Sequence, residues 1–155
     1  MSKLECCTFF GHRDFNKLEY KDYISEIIEY LIVNKNVCEF LSGGMGNFDI
    51  ICEGVVRNLK EKYPNIKLNL IVPYLEYPVL KKFKKDLFLY DAFIIPNLNA
   101  ENYKDAIPKR NEYMANNSRY IISGVYKNEG GAFNALSYAK NEKTSRIIDI
   151  LKKKI

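Results

Sequence analysis

The stretch "LSGGMGNFD", residues 41–49, joins a strand-like run to a helix-like run and has glycine at three of four successive positions, Gly43, Gly44 and Gly46. Glycines at a helix start let backbone N–H groups approach a phosphate without Cβ collisions. The stretch matches neither the Walker pattern nor G-x-G-x-x-G, so a Walker loop is excluded and an ordinary dinucleotide fingerprint is unsupported. The alternative is a tight strand-to-helix turn that needs positive φ.

Outward from this stretch, apolar strand-like runs alternate with helical ones. Apolar residues recur at helical spacing from Tyr20 to Leu31 and from Phe48 to Tyr63. The predicted strands are 4–10, 37–41, 66–73, 91–96, 119–126 and 145–151. The other predicted helices are 77–88, 102–118 and 130–140, and Pro108 either begins a new helix or kinks one. Strands that are apolar on both faces predict a mostly parallel sheet with helices on both faces, an α/β fold.

Length and composition predict one folded domain over residues 1–155, since 155 residues can bury a substantial core. No apolar run approaches the roughly 20 residues of a membrane span, and the N-terminus has no signal-peptide layout, so a cytoplasmic protein without membrane contact is expected. Four cysteines form no C-x-x-C pair and there is one histidine, which argues against a zinc site and favours reduced, buried thiols. No metal or cofactor is expected.

The net charge is +5, with lysines clustered in residues 81–86 and 152–154. Basic runs bind nucleic acid in some proteins, but they are more often a solvated helix face or a tail. Nucleic-acid binding is therefore the less favoured interpretation of this charge.

Parallel α/β sheets bind ligands outside the carboxyl ends of their strands, so the loops after strands 1, 2 and 5 are the candidate site. The first loop contains Gly11, His12 and Arg13, and the last opens a helix with Gly130 and Gly131. Arg13 either grips a phosphate or carboxylate bidentately or pairs with an acid such as Asp14. His12 is either a general acid or base or a residue that orients its loop through a backbone hydrogen bond.

Further candidates lie near these loops. Arg110, near a helix start after strand 4, either brings a second cation to the crevice or lies on a helix surface. Ser42 adds a hydroxyl donor beside the glycines. Asp49 and Glu53 share one helix face, and Asp49 either stabilises the positive helix end or holds ribose hydroxyls. A paired-carboxylate glycosidase is a weaker interpretation of this spacing.

Four ordered motifs, "TFFGHRD", "LSGGMGNFD", "PKRNEYM" with "NNS", and "GGAFNALSYA", resemble the SLOG superfamily. This grouping contains the DNA-processing protein DprA/Smf and the LOG cytokinin-activating enzymes. The resemblance runs from about Cys7 to Ile150 and is strongest to small, single-domain bacterial members that are uncharacterised. It implies a Rossmann-like three-layer sandwich with a nucleotide-type ligand at the strand carboxyl ends.

The resemblance also implies roles. Gly43, Gly44 and Gly46 correspond to the phosphate-facing loop. Arg110, followed by Asn111, corresponds to an active-site arginine of the LOG enzymes. Ser137 stands where those enzymes have their catalytic glutamate, and serine cannot act as that acid. Asp49 or Glu53 would have to replace it.

The leading hypothesis is therefore a nucleotide-binding SLOG-like domain that acts as a sensor or accessory protein. Ser42 and the three glycines would cradle phosphate, Arg13 and Arg110 would neutralise it, Asp49 would contact the sugar, and Gly130, Gly131 and Asn134 would close the other side. The alternatives are a LOG-like phosphoribohydrolase, which cleaves the N-glycosidic bond of a nucleoside monophosphate, and a DprA-like module that binds single-stranded DNA. The 12 tyrosines and 9 phenylalanines would also allow an aromatic homodimer interface.

Overall fold

The computed structural model describes residues 3–74 and 89–152. These residues form a six-stranded sheet in the order β4-β3-β2-β1-β5-β6, in which every pairing is parallel. The predicted parallel sheet is therefore confirmed. The strands are β1 (Cys6–Gly11), β2 (Glu39–Ser42), β3 (Lys67–Ile71), β4 (Ala92–Ile94), β5 (Tyr120–Gly124) and β6 (Arg146–Asp149).

Within the described residues, four α-helices cover the two faces of the sheet, which makes the predicted three-layer, Rossmann-like sandwich. The alternation of side chains along each strand supplies both cores. Phe9 of β1 packs on the first face, and Phe10 packs on the second. The helices are α1 (Lys21–Lys35) and α2 (Asn47–Lys60) on the first face, and α3 (Tyr103–Asn116) and α4 (Gly131–Glu142) on the second.

Most predicted elements form, with ends that differ by a few residues because the apolar pattern continues into the loops. Pro108 lies inside α3, which begins at Tyr103, so of the two alternatives for this proline the beginning of a new helix is wrong. The Asn102 side chain caps α3 by accepting a hydrogen bond from the Asp105 N–H at 3.0 Å, which starts the helix before the proline. The predicted helix 77–88 lies outside the described residues.

The strand order reverses at β1, which has β2 on one side and β5 on the other. The last residues of β1 and β5, Gly11 and Gly124, are paired across the sheet. A Cβ atom on Gly11 would lie 2.1 Å from the Phe48 ring, and one on Gly124 would lie 2.3 Å from it. The two glycines therefore make room for the first turn of α2. This packing brings the loops after β1, β2 and β5 together at the point where α/β sheets bind ligands.

Within the described residues, no helix has the length and apolar character needed to cross a membrane.

Candidate functional site

A cleft of about 610 Å³ opens at the carboxyl ends of the strands, a size that suits a small-molecule ligand. Its walls come from the three loops that the sequence predicts, from α3, and from the first turns of α2 and α4. Nine predicted site residues line it: Gly11, His12, Arg13, Gly43, Asp49, Arg110, Asn111, Gly130 and Gly131. Four predicted residues are not part of its lining: Ser42, Gly44, Gly46 and Asn134.

Several backbone N–H groups of the glycine loop after β2 already donate hydrogen bonds within the protein. The Gly44 N–H donates to Ser42 Oγ at 3.1 Å, and the Met45 N–H donates to Asp49 Oδ2 at 3.0 Å. The Asn47 N–H donates to the carbonyl of Arg13 at 3.0 Å. These three amides are already bonded, so they are not available to cradle a phosphate in this conformation.

Two positions of this loop require glycine, because other residues lie too close to leave room for a Cβ atom. A Cβ atom on Gly43 would lie 2.9 Å from Cζ of Arg110, and one on Gly46 would lie 2.5 Å from Cα of Arg13. Gly46 also has φ of 90°, in the region that favours glycine. The groups that approach these two glycines are therefore an arginine side chain and the backbone of the first loop.

Arg110 is buried and fixed. One of its Nη1–H groups donates to the carbonyl of Gly43 at 3.2 Å, and the other donates to that of Ile71 at 3.0 Å. Its Nε–H donates to Asn111 Oδ1 at 2.9 Å. The guanidinium thus joins the ends of β2 and β3 to α3, while its charge remains at the cleft wall.

Arg13 differs from Arg110. Its side chain is exposed and lines the cleft, and among the described residues its guanidinium makes no hydrogen bond or ion pair. Asp14, a possible partner of Arg13, instead forms an ion pair with Lys127, whose Nζ lies 2.6 Å from Asp14 Oδ2. Arg13 therefore presents an uncommitted planar donor to the cleft.

Ser42 faces away from the cleft lining. It is fully buried, and its hydroxyl donates to Glu53 Oε2 at 2.5 Å. The Tyr90 hydroxyl also donates to Glu53, at 2.9 Å, and Arg57 forms an ion pair with it at 3.3 Å. Glu53 thus belongs to a buried network that fastens α2 to the sheet. Asn134 is exposed on α4.

Asp49 is the buried acid of the cleft wall. Burial, and after it the negative charge of Glu53, raise the pKa of Asp49 to about 7. The Met45 N–H and the charges of Arg110 and Arg13 oppose this shift. The Asp49 side chain therefore exchanges a proton near neutral pH, which suits it either to hydrogen-bond a ligand hydroxyl or to act as an acid.

His12 joins two walls of the cleft. Its Nε2 accepts a hydrogen bond from the Lys127 N–H at 3.0 Å, and its ring meets that of Tyr126 edge-on with centroids 4.7 Å apart. Burial, together with the charge of Lys127, lowers the pKa of His12. A neutral ring with the proton on Nδ1 satisfies this geometry, and the hydrogen bond to the backbone ties the loop after β1 to the loop after β5.

The start of α4 presents open backbone at the cleft. Gly130 precedes the helix with φ of 96°, and a Cβ atom there or at Gly131 would find open space within 4 Å. The Asn134 N–H makes the first turn by donating to the Gly130 carbonyl at 3.0 Å. The earlier N–H groups of a helix have no partner within it, and within the described residues those of Gly131, Ala132 and Phe133 find none elsewhere. This end carries about half a positive charge.

The charges of the described cleft lining are balanced rather than strongly basic. The cations are Arg13, Arg110 and Lys127, and the acids are Asp14, Asp49 and Glu129. Lys127 pairs with Asp14, and the pKa of Asp49 is raised, so the remaining charged groups are the two arginines and the helix end, which are positive, and Glu129, which is negative.

Sequence reasoning missed several lining residues. Met45, Ile107 and Met114 give the cleft apolar surface, and Lys127 and Glu129 give it charge. A signal existed for most of them. Ile107 and Met114 lie one helical turn from Arg110 and share its face, and Lys127 and Glu129 belong to the predicted loop after β5.

The described residues contain no group of three or more His, Cys, Asp or Glu side chains that could hold a metal ion. The four cysteines are free thiols, three of them buried and Cys38 half-buried. Burial raises the pKa of Cys6 to about 12, which makes it a poor nucleophile.

Two solved structures are similar to this chain across 95% of its length. DNA processing protein A (DprA) from Streptococcus pneumoniae matches with a TM-score of 0.67 and 17% identity. DprA from Helicobacter pylori, described with a unique mode of single-stranded DNA binding, matches with a TM-score of 0.65 and 15% identity. The matched region spans 50% of the first protein and 65% of the second. These matches confirm the predicted Rossmann-like α/β fold.

No protein-family model matches the chain. A curated relative is the SPbeta prophage-derived protein YoqJ of Bacillus subtilis (strain 168), which is described as uncharacterised. It is 30% identical over 139 residues, which cover 79% of this chain and 81% of the relative. The protein therefore belongs to the same family as YoqJ, and it has the Rossmann-like fold seen in DprA.

Proposed function

We propose that the cleft binds the phosphate of a nucleotide-type ligand, as the nucleotide-binding domain that the sequence predicts. The observation that carries the proposal is the convergence of the loops after β1, β2 and β5 on one cleft, whose lining includes both Arg13 and the open start of α4. Unbonded amides at a helix start attract anions, and an uncommitted guanidinium binds phosphate oxygens in pairs.

In this proposal the residues divide into two groups. The amides of Gly131 and Ala132 and the Arg13 guanidinium contact phosphate oxygens. Arg110 supplies charge and fixes the wall, and the glycine loop shapes the site through its fit around both arginines. Asp49 contacts a sugar hydroxyl, for which its buried carboxyl is suited in either protonation state.

The test is ligand-dependent thermal stabilisation with a panel of nucleotides. We expect at least one nucleotide to raise the melting temperature of the wild type, because a ligand that binds only the folded state stabilises it. Arg13→Ala should abolish the shift. The matched control is Arg146→Ala, which removes an exposed arginine from the opposite end of the sheet, where β6 begins. A wild type that no nucleotide stabilises would overturn the proposal.

A second candidate function is the binding of single-stranded DNA. The likeness to the Helicobacter pylori DprA and the net charge of +5 favour it. Such binding should weaken steeply as salt rises, because contacts to phosphates release counterions. An electrophoretic shift of an oligothymidylate that is lost in Arg13→Ala and kept in Arg146→Ala would support it. The absence of a shift at low salt would exclude it.

Cleavage of the N-glycosidic bond is a further candidate, because Asp49 places a carboxyl with a pKa of about 7 in the cleft wall. Ser137 does not line the cleft, and Glu53 is bonded within the buried network. Chromatography of nucleoside monophosphates after incubation should then show free base with the wild type and none with Asp49→Asn. Equal release by both proteins would exclude Asp49 as the acid.

A further inference from the structure

The α3 wall of the cleft combines apolar side chains with an amide. Ile107, Arg110, Asn111 and Met114 lie three or four residues apart on α3, so they share one face of the helix, and all of them line the cleft. Met45, from the loop after β2, lines the cleft as well. Ile107 and Met45 are half-buried and pack against the same hydrophobic core, so each presents the rest of its apolar surface to the cleft.

The hydrogen bond with Arg110 fixes the orientation of the Asn111 amide. Asn111 Oδ1 accepts from Arg110 Nε–H at 2.9 Å, and within the described residues no group accepts a hydrogen bond from Asn111 Nδ2. In the same part of the chain, the buried side-chain polar atoms without a partner are the hydroxyl oxygens of Ser118 and Ser123. Asn111 Nδ2 is not one of them, so it is accessible from outside. Asn111 therefore offers N–H donors to a ligand in the cleft.

The strand order separates this wall from the groups proposed to bind phosphate. Arg13 follows β1, and the open amides of α4 follow β5. Met45 instead follows β2, and Arg110 fastens α3 to the carbonyls of Gly43 and Ile71, at the ends of β2 and β3. Because β2 and β5 lie on opposite sides of β1, they are two strand spacings, about 10 Å, apart. This distance leaves room for a sugar between a phosphate on one side and a flat ring on the other.

We propose that the α3 wall binds the base of the nucleotide: Ile107 and Met45 pack against its face, and the Asn111 amide donates to an acceptor on its edge. The inference rests on the proposed function and deepens it by naming the residues that select a ligand with a base. Ligand sites commonly combine apolar surface with a few placed polar groups, and a thioether packs well on an aromatic ring. Bases carry ring nitrogens or carbonyl oxygens that accept hydrogen bonds. The nucleotide is either free or part of a single strand, and the two sources share this chemistry.

The first test is calorimetric titration with ribose 5-phosphate, the common ribonucleoside 5′-monophosphates and an oligothymidylate of about ten nucleotides. Ile107→Ala should lower affinity for the probes with bases about tenfold and leave that for ribose 5-phosphate unchanged. The matched control is Ile50→Ala, which truncates an exposed isoleucine of α2 outside the cleft lining and should bind every probe as the wild type does. Asn111→Asp keeps an acceptor for Arg110 but removes the donors. Its loss for probes with bases should exceed its loss for ribose 5-phosphate about fivefold.

The second test locates the base by nuclear Overhauser effects in the wild-type complex. With the methyl groups of Met45 and Ile107 isotopically labelled, we expect effects from both to the base protons of the monophosphate that binds most tightly. Effects that reach only the ribose protons, or no ligand protons, would overturn the base subsite. This measurement needs no substitution, so it decides the matter even if Ile107→Ala does not fold.

The outcomes separate this inference from the proposed function. Probes with bases that bind Ile107→Ala and Asn111→Asp as tightly as the wild type would overturn the base subsite and leave the phosphate site standing. A wild type that binds ribose 5-phosphate as tightly as the nucleotides would do the same, since the base would then add nothing. Binding of none of the probes by the wild type would overturn both. A loss confined to the monophosphates identifies a free nucleotide as the ligand, and one confined to the oligothymidylate identifies a strand.

Discussion

His12 accepts a hydrogen bond at Nε2 from the backbone N–H of Lys127, at a distance of 3.0 Å and across 115 residues of sequence. This bond joins the loop after β1 to the loop that leads into α4, and both loops line the cleft. The ion pair of Asp14 with Lys127 spans the same two loops, but both of its side chains are exposed, and such pairs contribute little.

The first prediction concerns this bond. His12→Ala should lower the free energy of unfolding by about 1 kcal/mol and leave the Lys127 amide without its acceptor. Hydrogen exchange should therefore speed up at residues 125–130 and stay unchanged in β2 and β3. Unchanged exchange at 125–130 would show that other contacts hold the loop.

The second prediction concerns the same bond at low pH. The pKa of His12 is lower in the folded protein than its ordinary 6.5, so the unfolded state binds more protons between those two values. The contribution of His12 to the free energy of unfolding should be greatest above pH 6.5. It should decrease as the pH falls through the pKa of His12 in the folded state. Protonation of Nε2 also removes the acceptor. The difference in stability between wild type and His12→Ala, measured by urea unfolding, should shrink on acidification, and a difference independent of pH would contradict this.

The third prediction concerns Gly43. In Gly43→Ala, the new Cβ would meet the Arg110 guanidinium at 2.9 Å and push it from the carbonyls of Gly43 and Ile71. We expect a folded protein, about 1–2 kcal/mol less stable, with ligand-dependent stabilisation lost. The control is Gly54→Ala in α2, where a Cβ has open space. That change should raise stability by about 0.5–1 kcal/mol and preserve binding. Equal binding by both variants would remove Arg110 from the site.

The fourth prediction concerns Asp49, whose pKa of about 7 exceeds the ordinary 3.8. The folded state binds more protons between these values, so the contribution of Asp49 to stability should decrease as pH rises from about 4 to 7. Asp49→Asn should remove this part of the pH dependence. An anionic ligand should also bind wild type less tightly as Asp49 ionises. The ratio of wild-type to Asp49→Asn affinity, in which titration of the ligand cancels, should therefore fall between pH 6 and pH 8. A constant ratio would contradict the prediction.

The fifth prediction concerns the Phe48 ring, which packs against the paired glycines Gly11 and Gly124. Gly124→Ala should destabilise the protein by about 1–3 kcal/mol, because its Cβ would lie 2.3 Å from the Phe48 ring. In a Phe48→Leu background the same substitution should cost less, since the smaller side chain leaves room. A double-mutant cycle measured by chemical denaturation gives the coupling, and additive effects would show that the two residues do not compete for space.

The sequence was sufficient to predict the layers of the fold, because strands that are apolar on both faces, such as β1, have few other arrangements. It also predicted which loops meet, since the carboxyl ends of parallel strands share one edge. It did not predict the direction of Ser42. Alternation along β2 puts Ser42 on the same face as Phe40, which packs against α1 and α2, and this pattern could have been used.

Other features depend on contacts between distant residues and had no local signal. The loop at residues 43–46 contains glycines because Arg110 and the Arg13 backbone lie against it, and both come from other parts of the chain. The position of Phe48 against Gly11 and Gly124 likewise needs three elements to be assembled. Glycines at these positions would also allow a phosphate to approach the loop. Only the packed structure therefore shows that protein atoms occupy the space beside them.

The register of β1 has a consequence for biosynthesis. Its Cys7 pairs with Phe40 on one side and with Tyr120 on the other, so the second neighbour arrives only after most of the chain has been translated. Pairings over such distances form late and slowly. A nascent polypeptide therefore cannot assemble the pocket until α4 has emerged from the ribosome. Ligand binding by a nascent chain would therefore show that α4 has been translated and that β1 has paired with both β2 and β5.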